Sequence, residues 1–249
     1  SVIMPMLYEG RQHRRNARES LDCAVALQEL VNMGVSNILT FDAHDSRVQN
    51  AIPRSGFDNV RTSYQMLKAL VREYPDIKFN PSEMMIVSPD EGGMSRAMYY
   101  SSMLGIELGM FYKRRNYSII VDGRNPIEAH EFLGHSVEGR DVVIVDDMIS
   151  SGDSVIDIAE KLKDKGARRI FVFATFGLFC NGCDNFDKAY EKGIINKIFT
   201  TTLNYRDPSI VSRPWYSEVN MCKYVSYIID RLNRDESMSE LLSPVKKIH

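Results

Sequence analysis

The chain has 249 residues, 44% of them hydrophobic and 26% charged, with 31 basic against 33 acidic side chains and a formal net charge of −2. That composition excludes a disordered or low-complexity chain, and the balance of charge excludes a global field that would recruit nucleic acid or an anionic membrane. No apolar run approaches the ~20 residues that a membrane span requires.

Taken in chain order, residues 2–7 (VIMPML) read as a buried strand. A strand of interior character at the very start leads to the expectation that this chain is part of a longer protein. Residues 20–34 carry apolar positions at helical spacing and end on Gly34, a helix stop. Residues 37–44 (NILTFDAH) read as a strand ending in polar groups, 60–74 as a helix, and 84–90 (MMIVSPD) as a strand. A helix over 94–105 closes on Gly105, and strands follow over 107–113 and 141–147. The stretch 114–140 is the least regular and reads as a long functional loop, with a hairpin turn at Asp122–Gly123. Residues 153–166 read as a helix, 169–177 and 197–203 as strands, and 216–236 as one long C-terminal helix. Strand–helix alternation of this kind predicts an α/β fold with a mostly parallel sheet flanked by helices.

In such sheets ligands collect beyond the carboxyl ends of the strands. The polar clusters DAH, SPDEGG, KRR and DDMISSGDS all stand at predicted strand ends. The last of these carries the most chemistry. Asp146 and Asp147 close an apolar run, and Ser150, Ser151, Gly152, Asp153 and Ser154 lead into a helix. A helix start presents unpaired backbone N–H groups and partial positive charge, and small residues let that backbone wrap a phosphate. The two carboxylates suit ribose hydroxyls, directly or through a divalent cation. Phosphate in the loop and pentose against the acids together describe a sugar phosphate. The four cysteines, at 23, 180, 183 and 222, include one C-x-x-C without a second ligand pair, and they read as reduced thiols in a cytoplasmic protein.

The segment VVIVDDMISSGDS resembles the phosphoribosyl-diphosphate-binding signature of the phosphoribosyltransferase fold. GRQHRRNARES (10–20), LTFDAHDSRVQNAI (39–52), VSPDEGGMSRA (87–97) and YKRR (112–115) resemble, in the same order, motifs of ribose-phosphate diphosphokinase, the PRPP synthetase family. The resemblance runs from residue 2 to the C-terminal helix. It implies synthesis of phosphoribosyl diphosphate from ribose 5-phosphate and ATP, with release of AMP. The alternatives are a phosphoribosyltransferase and a catalytically weak, synthetase-like regulatory subunit.

By that resemblance Asp146 and Asp147 hold the ribose hydroxyls, and Ser150, Ser151, Gly152, Asp153 and Ser154 cradle the 5-phosphate. Asp153 is compatible with a phosphate only if its carboxylate turns outward. His44 and Asp90 serve Mg2+, and Arg11, Gln12, Asn16 and His44 serve ATP. Lys113 and Arg115 are the catalytic cations at the start of a mobile loop. The resemblance further implies two similar domains, here the end of the first over 1–55 and the whole second over 56–215. A C-terminal helix and tail over 216–249 packs back on the first. The implied partners are ATP, ribose 5-phosphate and further copies of the chain in a dimer or hexamer, with no nucleic acid and no membrane.

Overall fold

The computed structural model describes residues 1–15, 17–115 and 127–242. They fall into two compact units. The first comprises Ser1–Leu67, Thr201–Tyr205 and the segment from Asn220, and the second comprises Lys68–Thr200 and Arg206–Val219.

The first unit is built on a three-stranded sheet in the order β1 (Val2–Ile3), β2 (Asn37–Phe41), β3 (Gly56–Val60), with both pairings parallel. The predicted strand over 2–7 is thus cut to two residues. Pro5, which has no N–H to give a ladder, stands just beyond its end, although its carbonyl still accepts from Phe41 N at 3.1 Å. Helix α1 (Asp22–Asn32) buries Cys23 and Leu27 in a core with Ile38, Val48 and Ile52. It stops where Gly34 takes a φ of +93°. Strand β3 pairs with β2 along its whole length. For that reason the first unit runs to Leu67 instead of ending at residue 55.

The predicted helix over 216–236 is two elements. Residues Tyr216–Val219 form β10, at one edge of the second unit's sheet, and α7 spans Cys222–Asn233 in the first unit. The break falls at Asn220, whose side-chain Oδ1 accepts from Cys222 N at 2.9 Å. A side chain that bonds the backbone two residues ahead favours a turn over helix continuation.

The second unit carries a seven-stranded sheet. In chain order its strands are β4 (Met84–Ser88), β5 (Glu107–Arg115), β6 (Ile127–Leu133), β7 (Asp141–Ile149), β8 (Arg169–Gly177), β9 (Lys197–Thr201) and β10. Their spatial order is β10-β9-β8-β7-β4-β5-β6. Strands β5, β4, β7, β8 and β9 are parallel, and β6 runs antiparallel to β5. All five residues of β4 are buried, as are residues 170–177 of β8, because helices cover both faces of such a sheet. Helix α2 (Ser63–Glu73) precedes β4, and between the strands lie α3 (Met94–Leu104), α4 (Asp153–Asp164), α5 (Asp184–Glu191) and α6 (Pro208–Val211). Helix α4 buries Val155, Ile158, Ala159 and Leu162, the i, i+3, i+4, i+7 stripe that seats it on the sheet.

The stretch 114–140 is more regular than its sequence predicts. Strand β5 continues to Arg115, and β6 returns beside it from Ile127, with a register shift between Arg114 and Arg115. The Asp122–Gly123 turn lies outside the described residues. No helix among the described residues is long and apolar enough to cross a membrane.

Candidate active site

The geometry of the second unit gathers chemistry at the carboxyl ends of β4 and β7, which pair side by side in parallel from Met84↔Asp141 to Val87↔Ile144. Beyond β4 the chain turns through Pro89 and Asp90. The Asp90 carboxylate accepts from Gly93 N at 3.1 Å, and its carbonyl accepts from Ser88 Oγ at 2.7 Å. A Cβ on Gly93 would crowd Ser88 Oγ at 2.9 Å, so the tight turn into α3 calls for glycine there.

Strand β7 delivers the acid pair. Asp147 is buried, while Asp146 keeps 25% of its side chain exposed and accepts from the Asp147 backbone N–H at 2.8 Å. Burial and then the adjacent Asp147 carboxylate push Asp146 well above the ordinary carboxylate range, and Arg96 pulls the other way. Arg96 lies in the first turn of α3 and is 6% exposed. Its guanidinium Nη1 stands 4.0 Å from Asp146 Oδ1 and 3.9 Å from Asp147 Oδ1.

The loop after β7 is pinned from its far side. Cys180 N donates to the Ser150 carbonyl at 2.9 Å, and Leu178 N donates to the Ile149 carbonyl at 2.9 Å. The Ser150 hydroxyl lies 3.8 Å from Cys180 Sγ. Gly152 takes a φ of +88°, and a Cβ there would also run into the Phe186 ring, so both backbone and packing require glycine. Gly152 is the N-cap of α4 and supplies no side-chain cap, and Asp153 N donates to Ser151 Oγ at 3.4 Å; a helix start of this kind presents backbone N–H groups to an anion. The Asp153 side chain is exposed and lines a groove between α4 and α5 with Asp157, Glu160, Asn185, Lys188 and Lys192.

In the first unit the RQ and DAH segments meet. His13 Nε2 is 3.5 Å from the Asp45 carboxylate, and the His13 and His44 rings lie 5.3 Å apart. Hydrogen bonds from Arg47, with a further contribution from His13, hold Asp45 down to about 2. Gln12 Nε2 donates to the Ser20 carbonyl at 3.1 Å, and Arg11 is exposed. Asp42 turns β2 into this loop with a φ of +40°, a conformation that Asp tolerates better than most residues. It is buried and accepts from Thr62 Oγ1 at 2.7 Å.

Of the residues singled out in the sequence, Asp90, Asp146, Asp147 and the loop 150–154 thus belong to the second unit, and Arg11, Gln12 and His44 to the first. The backbones of Lys113 and Arg115 lie on β5, paired with His130 and Ile127, and their side chains lie outside what is described. Asn16 also lies outside the described residues. Arg96, His13 and Asp42 stood inside the quoted motifs without a role. Nothing in their spacing pointed to one, since their partners Asp146, Asp45 and Thr62 come from other elements.

The chain is similar to known proteins. Residues 118–243 match the family model described as the phosphoribosyl synthetase-associated domain. A ribose-phosphate pyrophosphokinase of Ureaplasma parvum is 35% identical over 202 residues, covering 80% of this chain and 57% of that protein. One from Vibrio cholerae is 30% identical over 247 residues, covering 98% of this chain and 73% of that protein. The crystal structure of phosphoribosylpyrophosphate synthetase from Mycobacterium smegmatis shares the fold with a TM-score of 0.77 at 19% identity, covering 94% of this chain and 71% of that one.

Proposed function

The chain belongs to the ribose-phosphate pyrophosphokinase family, and we propose that it transfers a diphosphate group from ATP to ribose 5-phosphate, forming phosphoribosyl diphosphate and AMP. The observation that carries this reading is the join of β7 to α4. Two carboxylates stand near the carboxyl end of the strand, and a glycine-started helix with no side-chain cap begins four residues after its last residue, Ile149. A pentose phosphate has hydroxyls for the first and an anion for the second.

In this reading Asp146 and Asp147 accept hydrogen bonds from the ribose hydroxyls. The backbone and hydroxyl groups of Ser150, Ser151, Gly152, Asp153 and Ser154 hold the 5-phosphate. Asp153 contributes its N–H, and its carboxylate stays in the α4–α5 groove. The anomeric hydroxyl so positioned attacks the β-phosphorus of ATP and gives up its proton to solvent. A new O–P bond forms, the bond from that phosphorus to the α,β-bridging oxygen breaks, and AMP departs with the electron pair. Such a transfer asks the protein for alignment and for neutralisation of phosphate charge. Lys113 and Arg115 supply cations to the group in flight, and Arg11, Gln12, Asn16 and His44 receive ATP.

A divalent cation fits the donor set. Among the described residues no three His, Cys, Asp or Glu side chains gather as a metal cage. Magnesium retains several waters and is commonly held by one or two carboxylates together with substrate phosphates. Asp90 in the second unit and His44 in the first are each proposed to serve it, and it would offset charge on the ATP phosphates. Assembly into a homo-oligomer, dimer or hexamer, and a place in the cytoplasm complete the reading.

The test is nucleotide analysis after mixing the chain with ribose 5-phosphate, ATP and magnesium chloride. AMP is expected in proportion to ribose 5-phosphate consumed. ADP as the product, or nucleotide breakdown indifferent to the sugar, would contradict the proposal. Lys113→Ala is expected to lower turnover by about 100-fold or more while ribose 5-phosphate still binds.

A further inference from the structure

We infer that Arg96 is a positioning residue, a buried counter-cation that holds the Asp146–Asp147 pair in the arrangement a ribose ring requires. The inference rests on the reading of that pair as the pentose site.

Three observations carry it. First, Arg96 is 6% exposed, and a buried guanidinium is costly unless charges nearby compensate it. Second, the carboxylates that compensate it are the two acids at the strand end, at 4.0 and 3.9 Å from one nitrogen, Nη1. Those separations are ion-pair distances, too long for hydrogen bonds. Third, Nε of Arg96 is buried and has no hydrogen-bond partner among the described residues. A guanidinium serving only to staple α3 to β7 would be expected to use its donors on the carboxylates. This one stands at ion-pair distance from both acids.

The fold explains why an arginine can do this from 50 positions away in sequence. Strands β4 and β7 are parallel neighbours, and α3 begins just past the carboxyl end of β4. Its first turn therefore faces the end of β7. Lysine would keep the charge but carry it on a flexible stem in place of a rigid, delocalised guanidinium.

The experiment uses the 249-residue chain, its Arg96→Lys and Arg96→Gln variants, Asp147→Asn and the Arg96→Gln/Asp147→Asn double variant. Binding of ribose 5-phosphate and of ATP is measured separately by calorimetry. Arg96→Gln is expected to weaken ribose 5-phosphate by about 30-fold or more, and Arg96→Lys by only about 3–10-fold, with ATP affinity within about twofold in both. Equal losses for both ligands, or no loss for ribose 5-phosphate, would overturn the inference while leaving the proposed function standing. If the unsubstituted chain takes up no ribose 5-phosphate, the proposed function is what fails. The Arg96–Asp147 coupling is then read from urea unfolding of the same proteins. Non-additive effects support the counter-cation role, and additive effects overturn it. Should Arg96→Gln show no cooperative unfolding, Arg96→Lys takes its place in both measurements.

Discussion

At the scale of residues, the acid pair sets function against stability. Burial, and then repulsion from Asp147, raise Asp146 above its unfolded value. The folded protein therefore keeps a proton that the unfolded chain releases. Between the ordinary carboxylate value of about 4 and the raised one, stability falls as pH rises; below about 4 this loss is absent. Asp146→Asn removes the charge. It is expected to stabilise the chain at pH 7.5 by on the order of 1 kcal/mol and to leave it unchanged near pH 3.5, while binding of ribose 5-phosphate is lost. Urea midpoints at the two pH values check this. An equal gain at both would mean that packing, and not ionisation, is responsible. The place of Asp146, Asp147 and the serine loop at a strand-to-helix join was legible in the sequence, because an apolar run, two carboxylates and small residues ahead of an amphipathic helix mark such a join. Arg96 was not legible. Its significance arises only when β4 and β7 pair and bring α3 to the acids.

At the scale of elements, the sheet is clamped at the end opposite the site. Asp141 opens β7 and is 1% exposed. It accepts from Arg168 Nε at 2.9 Å and Arg169 Nε at 3.0 Å. Burial alone would raise this carboxyl, but the hydrogen bonds from Arg169 and Arg168 prevail and hold it below its ordinary value. Its contribution is present above the unfolded value of about 4 and is lost as pH falls through the depressed folded one. Asp141→Ala leaves cations without their partner and is expected to cost about 3–5 kcal/mol at pH 7, shrinking as the pH is lowered. Denaturant unfolding at several pH values measures it, and a cost independent of pH would contradict the assignment. Elements of strong periodicity were legible. Gly34 and Gly105 end their helices with left-handed backbone, as their positions in the sequence indicate. Two elements were not. In β6, the sequence IEAHEFL alternates only loosely, and its pairing with β5 decides the matter. In β10, Tyr216 and Val219 also fit helical spacing, and an edge position beside β9 makes them a strand.

At the scale of the whole molecule, the parallel α/β architecture followed from the alternation of strand and helix patterns. The limit of the first unit did not. Residues 56–60 carry no signal of which sheet they join, and only the parallel pairing of β3 with β2 assigns them. The chain spans 57% of the Ureaplasma parvum pyrophosphokinase and 73% of the Vibrio cholerae one, and the match to the latter covers 98% of this chain. The motifs of both units therefore lie within a single family alignment. What the account claims at this scale is that a pentose phosphate lies across the join of β7 and α4. A ribose 5-phosphate titration followed residue by residue in 1H–15N spectra tests this most directly. Saturable shifts are predicted at the backbone amides of Asp146, Asp147 and residues 150–154. A spectrum that does not change with the sugar phosphate, or one that changes only at residues remote from that join, would contradict the account.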